Sequence, residues 1–326
     1  MKLVVIGGGT GSFAVLQSLK SLTPDISAVV NMCDDGGSTG LLRDELGVLP
    51  PGDARQCLVA LSEAPEMREL FNYRFAKGGL AGHSLGNIII SGLELQQGSF
   101  EQAIETASRI LRIRGQVLPA ALGEHKLAMC DGDEEILGQY ACEIHAIEHA
   151  DARIRLVPAS PINPKANEAI RQADMVVIAP GAFYTSILPI FSVDGIAEAL
   201  AASRARVIFM ANLVNKAIQT KGWHVVDYLK HLEEYIGPGQ IDTVLYNIEP
   251  LPPKLLKKYA ADGDYPVLVS SERFSEISVQ PVGAPLFSKE IRTQNPADKL
   301  IQRNYLRHDS EKVKAAIQQI YEEYIR

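Results

Sequence analysis

A short, largely apolar start, Met1-Lys2-Leu3-Val4-Val5-Ile6, runs straight into Gly7-Gly8-Gly9-Thr10-Gly11-Ser12, and no other feature narrows the fold of this chain as much. Glycines at that place permit a tight turn out of a strand and a close approach of backbone to a ligand. A helix starting there offers N–H groups and a partial positive charge to an anion. The arrangement reads as the first strand, loop and helix of an open α/β sheet. Gly8, Gly9, Thr10, Gly11 and Ser12 are therefore candidate nucleotide-binding residues, set against the plainer reading of a structural strand-to-helix turn. The loop reads Gly7-x-Gly9-x-Gly11, which is not the spacing of a dinucleotide fingerprint. Asn31 stands near the end of the second strand, where a ribose-binding acid is expected, so NAD-dependent hydride transfer is the weaker alternative.

Continuous Val/Ile-rich runs at 2–6, 27–32, 175–179, 206–211 and 243–246 predict strands buried on both faces. Apolar residues at three- and four-residue spacing predict helices at 13–22, 54–61, 87–96, 100–111, 196–203 and 225–235. A last helix is expected over 310–326, with Ser310 as its N-cap and Val313, Ala316, Ile317, Ile320 and Tyr324 on one face. Glycines at 115, 123, 132 and 138 punctuate a region with short strand-like pieces at 126–130 and 144–147, which predicts an antiparallel excursion. No linker-like composition divides the chain. The expected architecture is one α/β domain over 1–326, with a mostly parallel sheet, helices on both faces and a β-rich insertion at 115–158.

Composition limits the partners. The 32 basic residues are outnumbered by 39 acidic ones, and a formal net charge of -7 argues against a broad grip on nucleic acid or an anionic membrane. No stretch approaches the roughly 18 to 20 apolar residues that a bilayer span needs. Cys33, Cys57, Cys130 and Cys142 are widely spaced with no Cys-x-x-Cys pair, which predicts reduced thiols rather than zinc or disulfide chemistry. A cytoplasmic protein is expected, a homodimer by the commonest symmetry, whose partners are a small-molecule nucleotide ligand and regulatory proteins.

Four further segments carry candidate chemistry. Cys33-Asp34-Asp35-Gly36-Gly37-Ser38 follows the second strand, where open α/β sheets place ligands. Asp34 and Asp35 could hold Mg²⁺ or orient a hydroxyl, and Ser38 could contact a phosphate; the alternative is a solvated Asp-Gly turn. Asp53, in Pro50-Pro51-Gly52-Asp53, is expected to N-cap the helix after it and could face the Asp34 loop as a third catalytic acid. In Gly82-His83-Ser84-Leu85-Gly86-Asn87, His83 could donate to a phosphate or move a proton and Asn87 could bond a ring or sugar. A lone histidine is more often structural. In Pro180-Gly181-Ala182-Phe183-Tyr184-Thr185-Ser186 the Gly181 backbone and the Thr185 and Ser186 hydroxyls are phosphate candidates, Tyr184 could stack on a base, and Asn212 lies in the equivalent place after the next strand. No Gly-x-Ser-x-Gly elbow, His-Glu-x-x-His helix or lysine-bearing phosphate loop is present.

Taken in order, the loops at 7–11, 34–38, 50–53, 82–87 and 180–186 resemble those of the YvcK family, the UPF0052 gluconeogenesis factors, within the superfamily of the 2-phospho-L-lactate transferase CofD. The resemblance runs nearly end to end. It implies a Rossmann-like CofD fold and a cytoplasmic regulator of cell shape and cell-wall homeostasis under gluconeogenic growth, which binds UDP-N-acetylglucosamine without an established reaction. The transferase side of the superfamily implies Mg²⁺ and a nucleotide-diphosphate donor, with Asp34 and Asp35 at the metal or acceptor hydroxyl. Arg307, in Arg307-His308-Asp309-Ser310, resembles the family's nucleotide-sugar-binding arginine. The chain departs from the family's usual residues at Gln139, Ala182 and 214–219.

Overall fold

A computed structural model describes residues 1–289 and 306–325. Among these residues ten strands form two sheets. The main sheet comprises β1 (Leu3–Gly7), β2 (Ile26–Val30), β3 (Gln116–Pro119), β7 (Met175–Ile178), β8 (Arg206–Met210), β9 (Thr243–Asn247) and β10 (Gln280–Ala284), in the order β10-β9-β8-β7-β1-β2-β3. Every neighbouring pair is parallel. From β1 the chain first builds outward through β2 to β3 and later outward the other way from β7. The strand order therefore reverses between β1 and β7, and the crevice at their carboxyl ends is where such sheets hold ligands. The second sheet is antiparallel, with β4 (Lys126–Asp131) between β5 (Glu134–Leu137) and β6 (Arg153–Val157).

Alternation along the strands divides the core in two. Leu3 and Val5 face one side, with Ile26, Ala28, Val177 and Ile208. Val4 and Ile6 face the other, with Val29, Val176, Ile178 and Phe209. The first side is covered by α1 (Gly9–Leu19), α3 (Pro51–Leu61), α6 (Phe100–Leu111) and α13 (Ser310–Tyr324), the second by α8 (Pro164–Arg171), α9 (Leu188–Phe191), α10 (Ile196–Ala201) and α11 (Val225–Ile236). Between α1 and α6 the chain also forms α2 (Gly37–Leu46), α4 (Pro65–Asn72) and α5 (Leu85–Gln97). Within the second sheet lies α7 (Gln139–Ile144), a π-helical turn at Phe183–Ile187 leads into α9, and α12 (Pro253–Ala261) follows β9.

The expected parallel sheet covered on both faces is found, and four boundaries differ for physical reasons. Residues 116–119 form an edge strand of the main sheet, because Gly115, at φ +80°, lets the chain pass so close to the Ile26 carbonyl that a Cβ would overlap it. The piece at 144–147 is the end of α7 and a loop rather than a strand. Helix α1 begins four residues earlier than its apolar pattern, so Thr10, Gly11 and Ser12 lie inside its first turn. The cap of α13 is Asp309 rather than Ser310. Its N–H bonds the Leu286 carbonyl at 2.7 Å, which keeps residue 309 extended, and its carboxylate accepts the N–H groups of Glu311 and Lys312. Among the described residues no helix is long and apolar enough to cross a membrane.

Candidate functional site

Helix α1 starts in the crevice between β1 and β7, and its first backbone N–H groups have no intrahelical acceptor. One of them, on Gly9, donates to the Asp53 carboxylate. Those of Thr10 and Gly11 are left at the mouth of the crevice, where both residues are partly exposed. Ser12 faces inward instead: it is 1% exposed and its hydroxyl bonds the Gly8 carbonyl at 3.3 Å. Gly8 has a steric reason to be glycine, since a Cβ there would overlap Asp53 Oδ2. A Cβ on Gly11 would overlap the Pro180 carbonyl, so the first turn of α1 packs directly on the β7 loop.

Asp53 does not cap α3, whose N-cap is Pro50; it lies in the first turn with its side chain buried beneath the glycine loop. Burial, and then the neighbouring Asp34 carboxylate, push its carboxyl up to about 7, against the lowering effect of the Gly9 N–H, Arg55 and the Asn31 amide. The carboxyl of Asp34 is likewise raised, chiefly by burial, although it accepts from the Gly36 N–H at 3.1 Å and from Thr39. Gly52 makes this approach possible, because a Cβ there would stand 2.6 Å from Asp34 Oδ2 and 2.5 Å from Thr39 Oγ1.

The two acids that meet are thus Asp34 and Asp53. Asp35, expected beside Asp34 as a metal or hydroxyl ligand, is turned to the start of α7, where its two oxygens accept the N–H groups of Gln139 and Tyr140 at 2.7 Å each. A carboxylate at a helix start is favoured by both the unbonded N–H groups and the helix dipole. Among the described residues there is no cluster of three or more His, Cys, Asp or Glu side chains fit to hold a metal. Asp34 and Asp53 supply two hard oxygen donors, a number that suits Mg²⁺ when phosphates and water complete its shell.

Ser38, His83 and Asn87 also come together. Ser38 Oγ lies 3.0 Å from His83 Nδ1 and accepts from Asn87 Nδ2 at 3.3 Å, and all three residues are buried. The Asn87 Oδ1 accepts from Arg55 Nε at 2.9 Å, and Arg55 Nη1 reaches Asn72 Oδ1 at 2.8 Å. A polar chain therefore runs beneath the site from Asn72 through Arg55 and Asn87 to Ser38 and His83. Gly86 admits it, since a Cβ there would stand 2.7 Å from Arg55 Cδ.

The β7 loop is held differently from its expected role. The Asn212 side chain accepts the Gly181 N–H at 3.1 Å and donates to the Gly181 carbonyl at 2.8 Å, so both residues are committed to each other. Thr185 is fully buried and its hydroxyl donates to Glu143 of α7. Tyr184 is 1% exposed, packed against Phe183, Trp223 and His231, which leaves no ring face for a base. Ser186, like Gly181 and Asn212, is partly exposed. Arg307 lies on the β8 flank: its carbonyl accepts the Ser288 N–H, and its neighbour His308 bonds the backbone of Ala211 at the end of β8.

Three residues of the site were not assigned a role from sequence. Asn31 supports Asp53 and also donates to the Thr185 carbonyl at 3.3 Å, tying β2 to the β7 loop. Arg55 is 5% exposed, and its place in the buried helix α3 is not marked by sequence, since Asp53 and Gln56 flank it there. Glu143 had no sequence signal.

Comparison with known proteins places this geometry among relatives. A family described as 2-phospho-L-lactate transferase CofD matches residues 3–287. A gluconeogenesis factor of Halalkalibacterium halodurans is 37% identical over 321 residues, covering 97% of this chain and 95% of its own. The gluconeogenesis factor of Bacillus subtilis strain 168 is 35% identical over 332 residues, covering 99% of this chain and 98% of its own. A crystal structure of a UPF0052 family protein from Bacillus halodurans superposes with a TM-score of 0.87 at 36% identity, covering 97% of this chain and 99% of that one.

Proposed function

The chain belongs to the CofD family and, within it, to the gluconeogenesis factors, and on that premise we propose that it is a regulatory protein that binds a nucleotide sugar, UDP-N-acetylglucosamine. Binding itself is the function in this reading, and occupancy reports cell-wall precursor supply to partner proteins that govern cell shape under gluconeogenic growth. The observation that carries it is the start of α1, where the Thr10 and Gly11 N–H groups stand at the strand-order reversal with the β7 loop packed against them. A diphosphate is the ligand group that such a site suits. Ser38, with His83 and Asn87 behind it, offers a positioned hydroxyl for sugar or phosphate oxygens. On the β8 flank Arg307 supplies a guanidinium for phosphate pairing or for stacking on a base.

Asp53 bears on this directly. An acid at the positive end of α1 competes with a ligand phosphate, so the site takes its ligand best when Asp53 is protonated or its charge is neutralised. Calorimetric titration with UDP-N-acetylglucosamine, with Mg²⁺ present, tests the proposal. Saturable micromolar binding without turnover, lost in Arg307→Ala, is expected; no heat of binding at millimolar ligand overturns it.

The Asp34–Asp53 pair favours a second reading, a transferase that moves a phosphorus-linked group from a nucleotide-diphosphate donor to an acceptor hydroxyl. An Asp53 carboxyl at about 7 is matched to accept that hydroxyl's proton at neutral pH. Asp34 would hold Mg²⁺ together with the donor phosphates and water, and the ion would supply charge neutralisation to the phosphates. Thr39 and Gly36 orient Asp34, and Asn31 and Gly9 orient Asp53. Release of nucleoside monophosphate from a donor, abolished in Asp53→Asn, would select this reading over pure binding.

A further inference from the structure

The polar chain beneath the site has a direction, and Arg55 sets it. Its Nε–H can only donate, so the Asn87 atom 2.9 Å away is the amide oxygen, and the amide nitrogen faces Ser38 Oγ at 3.3 Å. That nitrogen has no lone pair to accept with. The Ser38 proton therefore goes the other way, to His83 Nδ1 at 3.0 Å, the hydroxyl's one remaining partner among the described residues. The opposite arrangement, with Nδ1–H donating to Ser38, would leave a buried hydroxyl proton unbonded, which native structures avoid. Both ends of the chain are fixed. Arg55 is anchored on Asn72 Oδ1 at 2.8 Å, and the His83 backbone bonds the Leu80 carbonyl and the Phe75 N–H at 3.0 Å each. A neutral imidazole accepts at one nitrogen and carries its proton on the other. With Nδ1 accepting from Ser38, the proton is on Nε2.

Nε2 is the atom left for a ligand. It engages no described residue, and although His83 is 8% exposed this nitrogen is not closed off from solvent. The ring rests against Ser38 in the first turn of α2, where the next residue, Thr39, bonds the Asp34 carboxylate. We infer that His83 serves the ligand as a fixed donor, its Nε2–H meeting an oxygen that only accepts, as the phosphoryl oxygens of a nucleotide sugar do. Arg55, Asn87 and Ser38 are then positioning residues that hold the imidazole in this tautomer. Ser38, its proton committed to the ring, keeps a lone pair for a sugar hydroxyl. In this form His83 is no base for an acceptor hydroxyl, because Ser38 already engages its lone pair. The ligand contact rests on the nucleotide-sugar reading above, and the tautomer does not.

Long-range proton–nitrogen correlation of the histidine rings in the full, isotope-labelled chain reads the tautomer directly. His83 is assigned among the seven histidines by side-chain-to-backbone correlation. At pH 8 its Nδ1 should give the signal of a bare nitrogen and its Nε2 that of a protonated one. Arg55→Lys, still a donor, should keep this pattern. Asn87→Asp offers an acceptor to both neighbours, so Ser38 should turn its proton to the new carboxylate and the ring should reverse to Nδ1–H, a change that loosened packing would not produce. Saturating UDP-N-acetylglucosamine should shift Nε2 more than Nδ1, and Asn87→Asp should weaken its binding at least tenfold. An Nδ1–H or averaged ring in the parent, or a ring in Asn87→Asp that keeps Nε2–H, overturns the assigned tautomer. Heat of binding with an unmoved His83 Nε2 overturns the ligand contact alone. No heat of binding overturns the nucleotide-sugar reading and the contact with it, while the spectrum of the free protein still decides the tautomer.

Discussion

Asp53 Oδ2 occupies the space that a Cβ on Gly8 would fill. The glycine loop is therefore shaped around a carboxylate of this chain as much as around a ligand. Gly8→Ala should displace Asp53, lower the thermal transition and weaken UDP-N-acetylglucosamine at least tenfold. The double variant Gly8→Ala/Asp53→Gly should regain part of the lost stability, since the overlap is removed. A thermal and calorimetric double-mutant cycle measures the coupling.

Asp53 ties stability to pH with a definite sign. Its folded value of about 7 lies above the unfolded value near 3.8, so the folded state holds the proton more tightly. The favourable contribution is complete below the unfolded value and is lost as pH rises to about 7. Asp53→Asn keeps a neutral side chain throughout and should be more stable than the parent at pH 8, by about 1 to 3 kcal/mol, with the gap closing toward pH 4. Urea unfolding at the two pH values decides it.

The same proton should appear in ligand affinity. Without Mg²⁺, UDP-N-acetylglucosamine should bind more weakly at pH 8 than at pH 6, by about tenfold if one charge is at stake. Asp53→Asn should flatten the profile. A parent profile that is already flat would separate the ligand from Asp53.

Arg55 holds Asn72 and Asn87 in place beneath Ser38. Arg55→Met removes the charge and strands both amides, which should cost about 2 to 4 kcal/mol in chemical denaturation. The Ser38–His83 contact at 3.0 Å should loosen with it. An unchanged His83 ring resonance in a stable Arg55→Met protein would count against this support.

Asp35→Ala should uncap α7. The amides of Gln139 and Tyr140 would lose their 2.7 Å acceptors, and hydrogen exchange over the α7 peptide should accelerate at a stability cost of about 1 to 2 kcal/mol. Because Glu143 of the same helix bonds Thr185, exchange at the π-helical turn should rise as well.

The sheet, its parallel sense and the glycine turn after β1 were legible because they are encoded locally. Runs such as Leu3 to Ile6 and Met175 to Ile178 are apolar at every position, as strands buried on both faces must be. The candidate loops were legible for the same reason, since strand ends and glycines mark them. Partnership was another matter. Asp34 and Asp35 are neighbours in sequence, yet Asp34 is held by the Gly36 N–H and Thr39 within reach of the Asp53 charge, whereas Asp35 is bonded to the start of α7. By sequence Tyr184 could stack on a base or pack in the core, and the π-helical turn points it into the core. Local sequence determined which backbone forms where, because propensity and periodicity act over a few residues. Only the tertiary structure decided which charges meet, because burial and the approach of distant loops set both their partners and their protonation.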